Sequence, residues 1–134
     1  MRVAVVDGQG GGIGKSIIEK IRQTLGRSVD VLALGTNALA TAAMLKAGAD
    51  EGASGENAIV VNAPKVDFIL GSLGIIAANA MMGELSPVMA RAITESPAQK
   101  ILIPLNRCHL MVVGTKNEPF PQYIDEMIEM LRGI

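Results

Sequence analysis

Short runs of β-branched residues alternate along the chain with stretches whose apolar residues follow the helical period. The first run, Arg2–Val6, is typical of a buried strand and ends at Asp7-Gly8. A helix over 13–25 follows, with apolar residues at Ile13, Ile17, Ile18, Ile21 and Leu25. The pattern next predicts a strand over 28–34 and an alanine-rich helix as far as Lys46. A complete βαβ unit is therefore expected by residue 34.

The rest of the chain continues this alternation. Further strands are predicted over 49–53, 67–70 and 100–105, and further helices over 56–63, 75–82 and 119–131. Another helix should begin at Ser86-Pro87 and bury a face made of Val88, Met89, Ala92 and Ile93. Pro104 cannot donate to a ladder, so its strand should lie at an edge or a bulge. The apolar run His109–Val113 follows too soon for a parallel crossover, so we expect a hairpin and an antiparallel last strand.

Strands that alternate with helices predict a mostly parallel sheet covered on both faces, a Rossmann-like three-layer α/β sandwich. The length of 134 residues suits one domain over 1–134. Apolar residues make up 49% of the chain, more than one small core can bury, so a homo-oligomer is expected. With 12 basic and 13 acidic residues, no net field draws the protein to nucleic acid or an anionic membrane. A small-molecule partner is favoured.

Several features missing from the sequence indicate where the protein is located and whether it binds a metal. The longest uncharged stretch, Phe68–Gly83, is interrupted by glycines and shorter than the roughly 20 apolar residues of a spanning helix. No signal-peptide pattern is present and Cys108 is the single cysteine, so a reducing, cytoplasmic location is expected. One cysteine and one histidine cannot complete a zinc site, and no metal is predicted. The methionines at helical spacing should be core or subunit contacts: Met81, Met82, Met89, Met127 and Met130.

The candidate chemistry centres on DGQGGGIGKS, residues 7–16, between the first strand and the first helix. In a parallel sheet, ligands bind beyond the carboxyl ends of the strands, where helices begin with unpaired N–H groups. Glycine lets such a backbone approach a phosphate closely. The predicted phosphate-binding residues are Asp7, Gly8, Gln9, Gly10, Gly11, Gly12, Ile13, Gly14 and Lys15. The alternative, that the glycines only form a tight turn, stays open.

The loop is similar to two known phosphate-binding loops. Gly8, Gly12 and Gly14 match the G-x-x-x-G-x-G loop of short-chain dehydrogenases and reductases. That superfamily's Tyr-x-x-x-Lys pair is missing, because Tyr123 is followed four residues later by Met127, and no acid ends the second strand to hold a ribose.

GGGIGKS is also similar to the deviant Walker A loop of some ATPases, which would put Lys15 on the phosphates and Ser16 on magnesium. Gly10 stands where that loop has its signature lysine, and no later strand ends in aspartate, so ATP hydrolysis is not expected. Binding of NAD(P) or another nucleotide remains the expectation.

Two further strand ends carry small polar residues, and they should meet the loop at the same edge of the sheet. Three helix starts would then line one cleft, although ordinary capping explains each polar side chain on its own. The residues are Gly35, Thr36 and Asn37 after the second strand, and Gly71, Ser72 and Gly74 after the fourth.

Three side chains near this edge have open roles. Asp7 either caps the amides of the glycine loop or contacts a ribose or metal. Arg107, after the fifth strand, is expected to clamp a phosphate or carboxylate. Cys108 is either a reactive thiol or a buried small apolar residue.

The segments DGQGGGIGK, ALGTNALATAAMLKAGA, GENAIVVNA, GIIAANAMMGE and ILIPLNRC resemble those of the bacterial family known as domain of unknown function 3842. The resemblance implies a compact Rossmann-like protein and no particular activity. Three hypotheses follow: a nucleotide- or dinucleotide-binding protein, an enzyme acting on a small phosphorylated or carboxylated metabolite, or a non-catalytic subunit that recruits a partner. In the enzyme, Arg107 would be the clamp and Asp7 or Cys108 the reactive group.

Overall fold

A computed structural model describes residues 1–105 and 109–133, and within them five strands form one parallel sheet. The strands are β1 (Arg2–Asp7), β2 (Asp30–Gly35), β3 (Glu51–Ser54), β4 (Phe68–Ser72) and β5 (Gln99–Ile103). Their order across the sheet is β3-β2-β1-β4-β5, and all neighbours are parallel. This order places a topological switch point between β1 and β4, where the chain stops adding strands on one side and starts on the other.

The helices are α1 (Gly12–Leu25), α2 (Ala38–Ala47), α3 (Glu56–Asn62), α4 (Pro87–Glu95) and α5 (Phe120–Arg132). Short 3₁₀ turns occupy Gly26–Ser28, Ala63–Lys65 and Leu73–Ile76. Within the described residues, no helix is long and apolar enough to cross a bilayer.

Helices cover both faces of the sheet, which confirms the predicted α/β class. Val3 and Val5 of β1 pack with α1, α2 and α5 in one cluster, which includes Ile17, Ile18, Ile21, Met44, Ile124, Met127 and Ile128. The alternate residues Ala4 and Val6 pack on the other face in a second cluster, which includes Ile59, Leu85, Met89, Ala90 and Ile93. Each fully buried isoleucine contributes about 1.5–3 kcal/mol, so these two layers hold the strand ends in fixed register.

The helix predicted over 75–82 is wrong. Leu73–Ile76 is a 3₁₀ turn, and the chain then continues in turns to residue 85. Asn79, Met81 and Met82 have φ of 68°, 59° and 57°, which a right-handed helix does not allow. The apolar spacing is satisfied without a helix, because Ile75 and Leu85 are buried under the turns.

The prediction of an antiparallel last strand is also wrong. Residues 109–113 form no strand. The four apolar side chains of 110–113 are exposed, so they pack against no described neighbour that would hold a strand there. The edge position expected for the strand carrying Pro104 is confirmed, since β5 is an edge strand and ends just before that proline. On α4, Val88 is exposed and Ala90 is buried, so the predicted face was misplaced by part of a turn.

Candidate functional site

The loop that joins β1 to α1 packs tightly against its neighbours. Gly11 has φ +75°, and a Cβ there would lie 2.9 Å from the backbone of Ala40 in α2. A Cβ on Gly14 would lie 2.4 Å from Sδ of buried Met44, and one on Gly8 would lie 2.6 Å from Oγ1 of Thr36. The fold itself therefore requires these three glycines.

Gly10 and Gly12 differ from the other loop glycines. A Cβ at either position would have no heavy atom within 4 Å, and neither residue has positive φ. Both line a cavity of about 320 Å³, together with Ile13, Leu105 and Phe120. The N–H groups of Gly10, Gly12 and Ile13 donate to no residue that the structure describes. Bare backbone therefore faces this cavity where α1 begins.

Asp7, the last residue of β1, binds the backbone amides of the loop that follows it. Its side chain is buried, with one carboxylate oxygen accepting the N–H of Gly8 at 2.8 Å and the other accepting the N–H of Gly14 at 2.7 Å. Of its two proposed roles, this geometry is the capping of the loop's own amides. The N–H of Gly14 is consequently occupied, and a ligand would have to use the amides that precede it.

Lys15 does not face the loop. Its ammonium lies 3.9 Å from a carboxylate oxygen of Glu19, one turn further along α1, and the side chain is mostly exposed. Lys15 lines neither the cavity beside Gly10 nor the one described below. This position gives no support to a Walker A role, in which the lysine must reach the phosphates.

Glu84, which sequence reasoning missed, closes the side of the loop next to β2. One carboxylate oxygen accepts the N–H of Gln9 at 2.8 Å, the hydroxyl of Thr36 at 2.8 Å and the amide NH₂ of Asn37 at 2.7 Å. The hydrogen bond from the Gln9 backbone, then those from Thr36 and Asn37, lower the pKa of Glu84. The carboxylate is therefore charged at neutral pH.

The polar residues after β2 are thus engaged within the fold. Asn37 also caps α2, because its side-chain oxygen accepts the N–H of Ala40 at 2.8 Å. Gly35 packs under α2, where a Cβ would lie 2.2 Å from Oγ1 of Thr41. Neither Thr36 nor Asn37 lines the cavities beside the loop.

The end of β4 is arranged differently. Ser72 is 7% exposed, yet its hydroxyl makes no hydrogen bond to any described residue and does not cap the following turn. It lines a second cavity of about 350 Å³, with Gly74, Ala80, Met81 and Met82 among the other lining residues. Gly71 lies beneath, where a Cβ would be 2.8 Å from the carbonyl oxygen of Val6. The Ser72 hydroxyl opens onto this cavity and is therefore available to a ligand there.

The two cavities share Asp7, Gln9, Ile13 and Leu105 and so lie side by side. We call their union the switch-point cleft, because it lies beyond the carboxyl ends of β1 and β4. Of the predicted site residues, the cleft is lined by Asp7, Gly8, Gln9, Gly10, Gly11, Gly12, Ile13, Ser72 and Gly74, and not by Gly14, Lys15, Gly35, Thr36, Asn37 or Gly71. Arg107 and Cys108 lie outside the described residues. Within residues 1–105 and 109–133, no group of three or more His, Cys, Asp or Glu is placed to hold a metal.

The hydrogen bonds of Glu84 give a testable pH dependence. Because they hold its pKa below the ordinary 4.5, the carboxylate stabilises the fold fully above that value and loses this effect as the pH falls through the lowered pKa. We expect Glu84→Gln to reduce the free energy of unfolding by about 1 kcal/mol at neutral pH, a modest amount because the group is partly exposed. As the pH falls below 4.5 the difference between wild type and variant should shrink, and it should disappear below the lowered pKa.

Urea unfolding of both proteins at about pH 7 and about pH 3.5 measures this difference. The variant should keep some acid sensitivity, because the N–H of Val31 and the guanidinium of Arg22 lower the pKa of Asp50 as well. A difference between the two proteins that is the same at both pH values would contradict the assigned role of Glu84.

The parallel sheet, its strand order and the helices on both faces define a Rossmann-like α/β protein. Residues 2–134 match the model of the family described as Domain of unknown function (DUF3842), and the chain belongs to that family. No curated protein matches the chain.

Proposed function

We propose that the protein binds a phosphate-bearing ligand, a nucleotide or dinucleotide of the NAD(P) type, in the switch-point cleft. The observation that carries the proposal is the bare backbone at Gly10 and Gly12, two glycines that neither packing nor φ requires. A phosphate needs such a surface, because a Cβ would hold it away from the amides. The proposal places this binding in the cytoplasm, the compartment expected for a chain with one cysteine.

The electrostatics of the loop are compatible with an anion. The N–H groups of Gly10, Gly12 and Ile13, which donate to no described residue, lie at the start of α1, where the helix dipole favours negative charge. Asp7 is also negative, but both of its oxygens accept loop amides, which spread its charge over the backbone. Because Asp7 lines both cavities, a bound phosphate would lie near this carboxylate, and the amides of Gly10, Gly12 and Ile13 would have to offset the repulsion.

Thermal unfolding with NAD, NADP, ATP and GTP tests the proposal, with adenosine and nicotinamide as controls that lack phosphate. A ligand present at about 100 times its dissociation constant should stabilise the fold by about 2.7 kcal/mol. We expect at least one nucleotide to raise the melting temperature and the two controls to leave it unchanged. If none of the four nucleotides raises it, the proposed function is wrong.

A second candidate function, an oligomeric subunit, is favoured by the apolar segment 110–113. Met111 is 88% exposed and Val113 is 100% exposed, and the segment precedes the residues that line a cavity of about 490 Å³ between β5 and α5. Among the described strands, β5 pairs only with β4, so its outer edge is open. A formal net charge of −1 allows two copies to approach, and we propose a second copy of this chain as the partner.

The double substitution Met111→Lys and Val113→Lys should therefore convert a dimer to a monomer, because two buried ammonium groups would face each other across the interface. Light scattering after size-exclusion chromatography at tens of micromolar protein measures the mass. Val88→Lys is the matched control, since Val88 is an exposed apolar residue on α4. A wild-type protein that is already monomeric would remove the candidate.

A further inference from the structure

We infer that the ligand of the switch-point cleft is the size of one nucleotide, a phosphomonoester with a flat, largely apolar body, and that Glu84 excludes a dinucleotide. This inference rests on the proposed function and narrows it to one ligand class.

The position that an adenosine ribose would take is filled. In dinucleotide-binding versions of this fold, the ribose is held beside the end of β2, next to the first glycine of the loop. Here the carboxylate of Glu84 lies there, bonded to Thr36 and Asn37, and a Cβ on Gly8 would lie 3.2 Å from it. Sδ of Met81 would lie 2.7 Å from the same Cβ. The segment that carries these two residues thus covers the loop on the β2 side.

This covering segment is held in a conformation that its residues disfavour. Asn79, Met81 and Met82 all have left-handed backbone conformations, and only Gly83 adopts positive φ without cost. The segment is closed by hydrogen bonds from the N–H of Asn79 to the carbonyl of Leu85 and from the N–H of Leu85 to the carbonyl of Ala80. Clusters of such residues occur preferentially at ligand sites and switch regions.

The Ser72 hydroxyl indicates where the base of the ligand would lie. It is part of a buried residue, faces the cavity of about 350 Å³, and has no hydrogen-bond partner among the described residues. The walls around it are otherwise mostly apolar, with Ala80, Met81 and Leu105 among them. A planar base with one polar edge satisfies both features, because its faces contact the apolar walls while its edge bonds to Ser72.

The two cavities together fit one nucleotide. Cavities that hold small ligands measure about 300–1,000 Å³, and these two, of about 320 and 350 Å³ with four shared lining residues, form a cleft within that range. In the arrangement we infer, the phosphate accepts the N–H groups of Gly10, Gly12 and Ile13, and the base lies against Leu105 with its edge at Ser72.

NAD and its two halves, AMP and nicotinamide mononucleotide, form a matched set of probes. Calorimetric titration of wild type should show at least one half binding about tenfold or more tightly than NAD, because Glu84 and Met81 occupy the place beside β2 where the second half of NAD would lie. Ser72→Ala should weaken the binding of that half about fivefold to tenfold, the effect of one lost hydrogen bond. The same variant should unfold at or above the wild-type temperature, since it removes a hydroxyl that the fold leaves unpaired.

Glu84→Gln should reduce the difference in affinity between NAD and the preferred half, because a neutral side chain holds the covering segment less strongly. If NAD binds wild type as tightly as either half and Glu84→Gln weakens it, Glu84 is a ribose-binding acid and the inference is overturned. If Ser72→Ala binds the preferred half as tightly as wild type does, the base does not lie with its edge at Ser72, and the inferred orientation of the ligand is overturned. If none of the three probes binds, nor ATP or GTP, the failure lies with the proposed function itself.

Discussion

Gly12→Asp is expected to weaken binding of a phosphate-bearing ligand by at least 100-fold while making the fold slightly more stable than wild type. Gly12 is the first residue of α1, and its Cβ would meet open space. An acid in the first turn of a helix is stabilising by about 0.3–1 kcal/mol, and replacing glycine within a helix adds to this. The same carboxylate would stand about 4 Å from a bound phosphate, where two charges repel by about 4 kcal/mol at an effective dielectric of 20.

The opposite signs of the two effects make this substitution informative. Calorimetric titration measures the loss of binding, and thermal unfolding without ligand measures the fold. Asn57→Asp is the matched control, because it adds the same charge to the first turn of α3, which follows an edge strand two positions from β1. A Gly12→Asp protein that binds as tightly as wild type would show that the phosphate does not lie over this turn.

Asp7→Ala is expected to reduce the free energy of unfolding by about 3–5 kcal/mol. The carboxylate is buried and accepts the N–H groups of Gly8 and Gly14, and both donors would be left without this acceptor in the variant. Hydrogen bonds to a charged group contribute about 1.5–3 kcal/mol each, and an unpaired buried donor bears its full desolvation cost. Urea unfolding at neutral pH measures the change.

Asp125→Ala provides the comparison for Asp7. Asp125 also makes a close contact, with the ammonium of Lys20 at 3.0 Å, but its side chain is 58% exposed. A surface ion pair of this kind contributes about 0–1 kcal/mol. Equal losses in the two variants would contradict the view that Asp7 holds the loop together.

Much of the fold could be predicted from the sequence because it depends on local patterns. The β-branched run of β1, the glycine turn and the apolar period of α1 are contiguous in the chain, and the structure has them within about two residues of the predicted bounds. The short strand β3 was also found, although none of its residues is fully buried.

The segments that were predicted wrongly depend on distant contacts. The apolar residues after β4 have a helical spacing, but the backbone at Met81 and Met82 is left-handed, and these residues are positioned by the loop and by Leu85. The run 110–113 has strand-like residues and no neighbour in the described structure to pair with. Composition indicates what a segment prefers, and contacts far along the chain decide what it forms.

The candidate site shows the same division. The sequence predicted the glycine loop and Ser72 as site residues because they lie at the carboxyl ends of β1 and β4. It did not identify Glu84, which lies 75 residues from its partner Gln9 and is bonded there only because the segment after β4 folds back over the loop. The one available signal was a lone acid after Gly83 in an otherwise apolar stretch, and that signal is too weak to assign a contact.

The alternative that the glycines only form a tight turn accounts for Gly8, Gly11 and Gly14, which meet backbone or buried side chains. It does not account for Gly10 and Gly12, where alanine would fit without strain. These two positions separate a structural turn from a binding loop, so the direct test concerns their amides.

That test is a titration of ¹⁵N-labelled protein with AMP and with nicotinamide mononucleotide, observed through the backbone amide resonances. We expect the amide resonances of Gly10, Gly12 and Ile13 to shift as the ligand saturates, while that of Gly133, at the end of α5, stays in place. If either nucleotide saturates the protein and the resonances of all three loop amides stay unchanged, phosphate binding at this turn is contradicted.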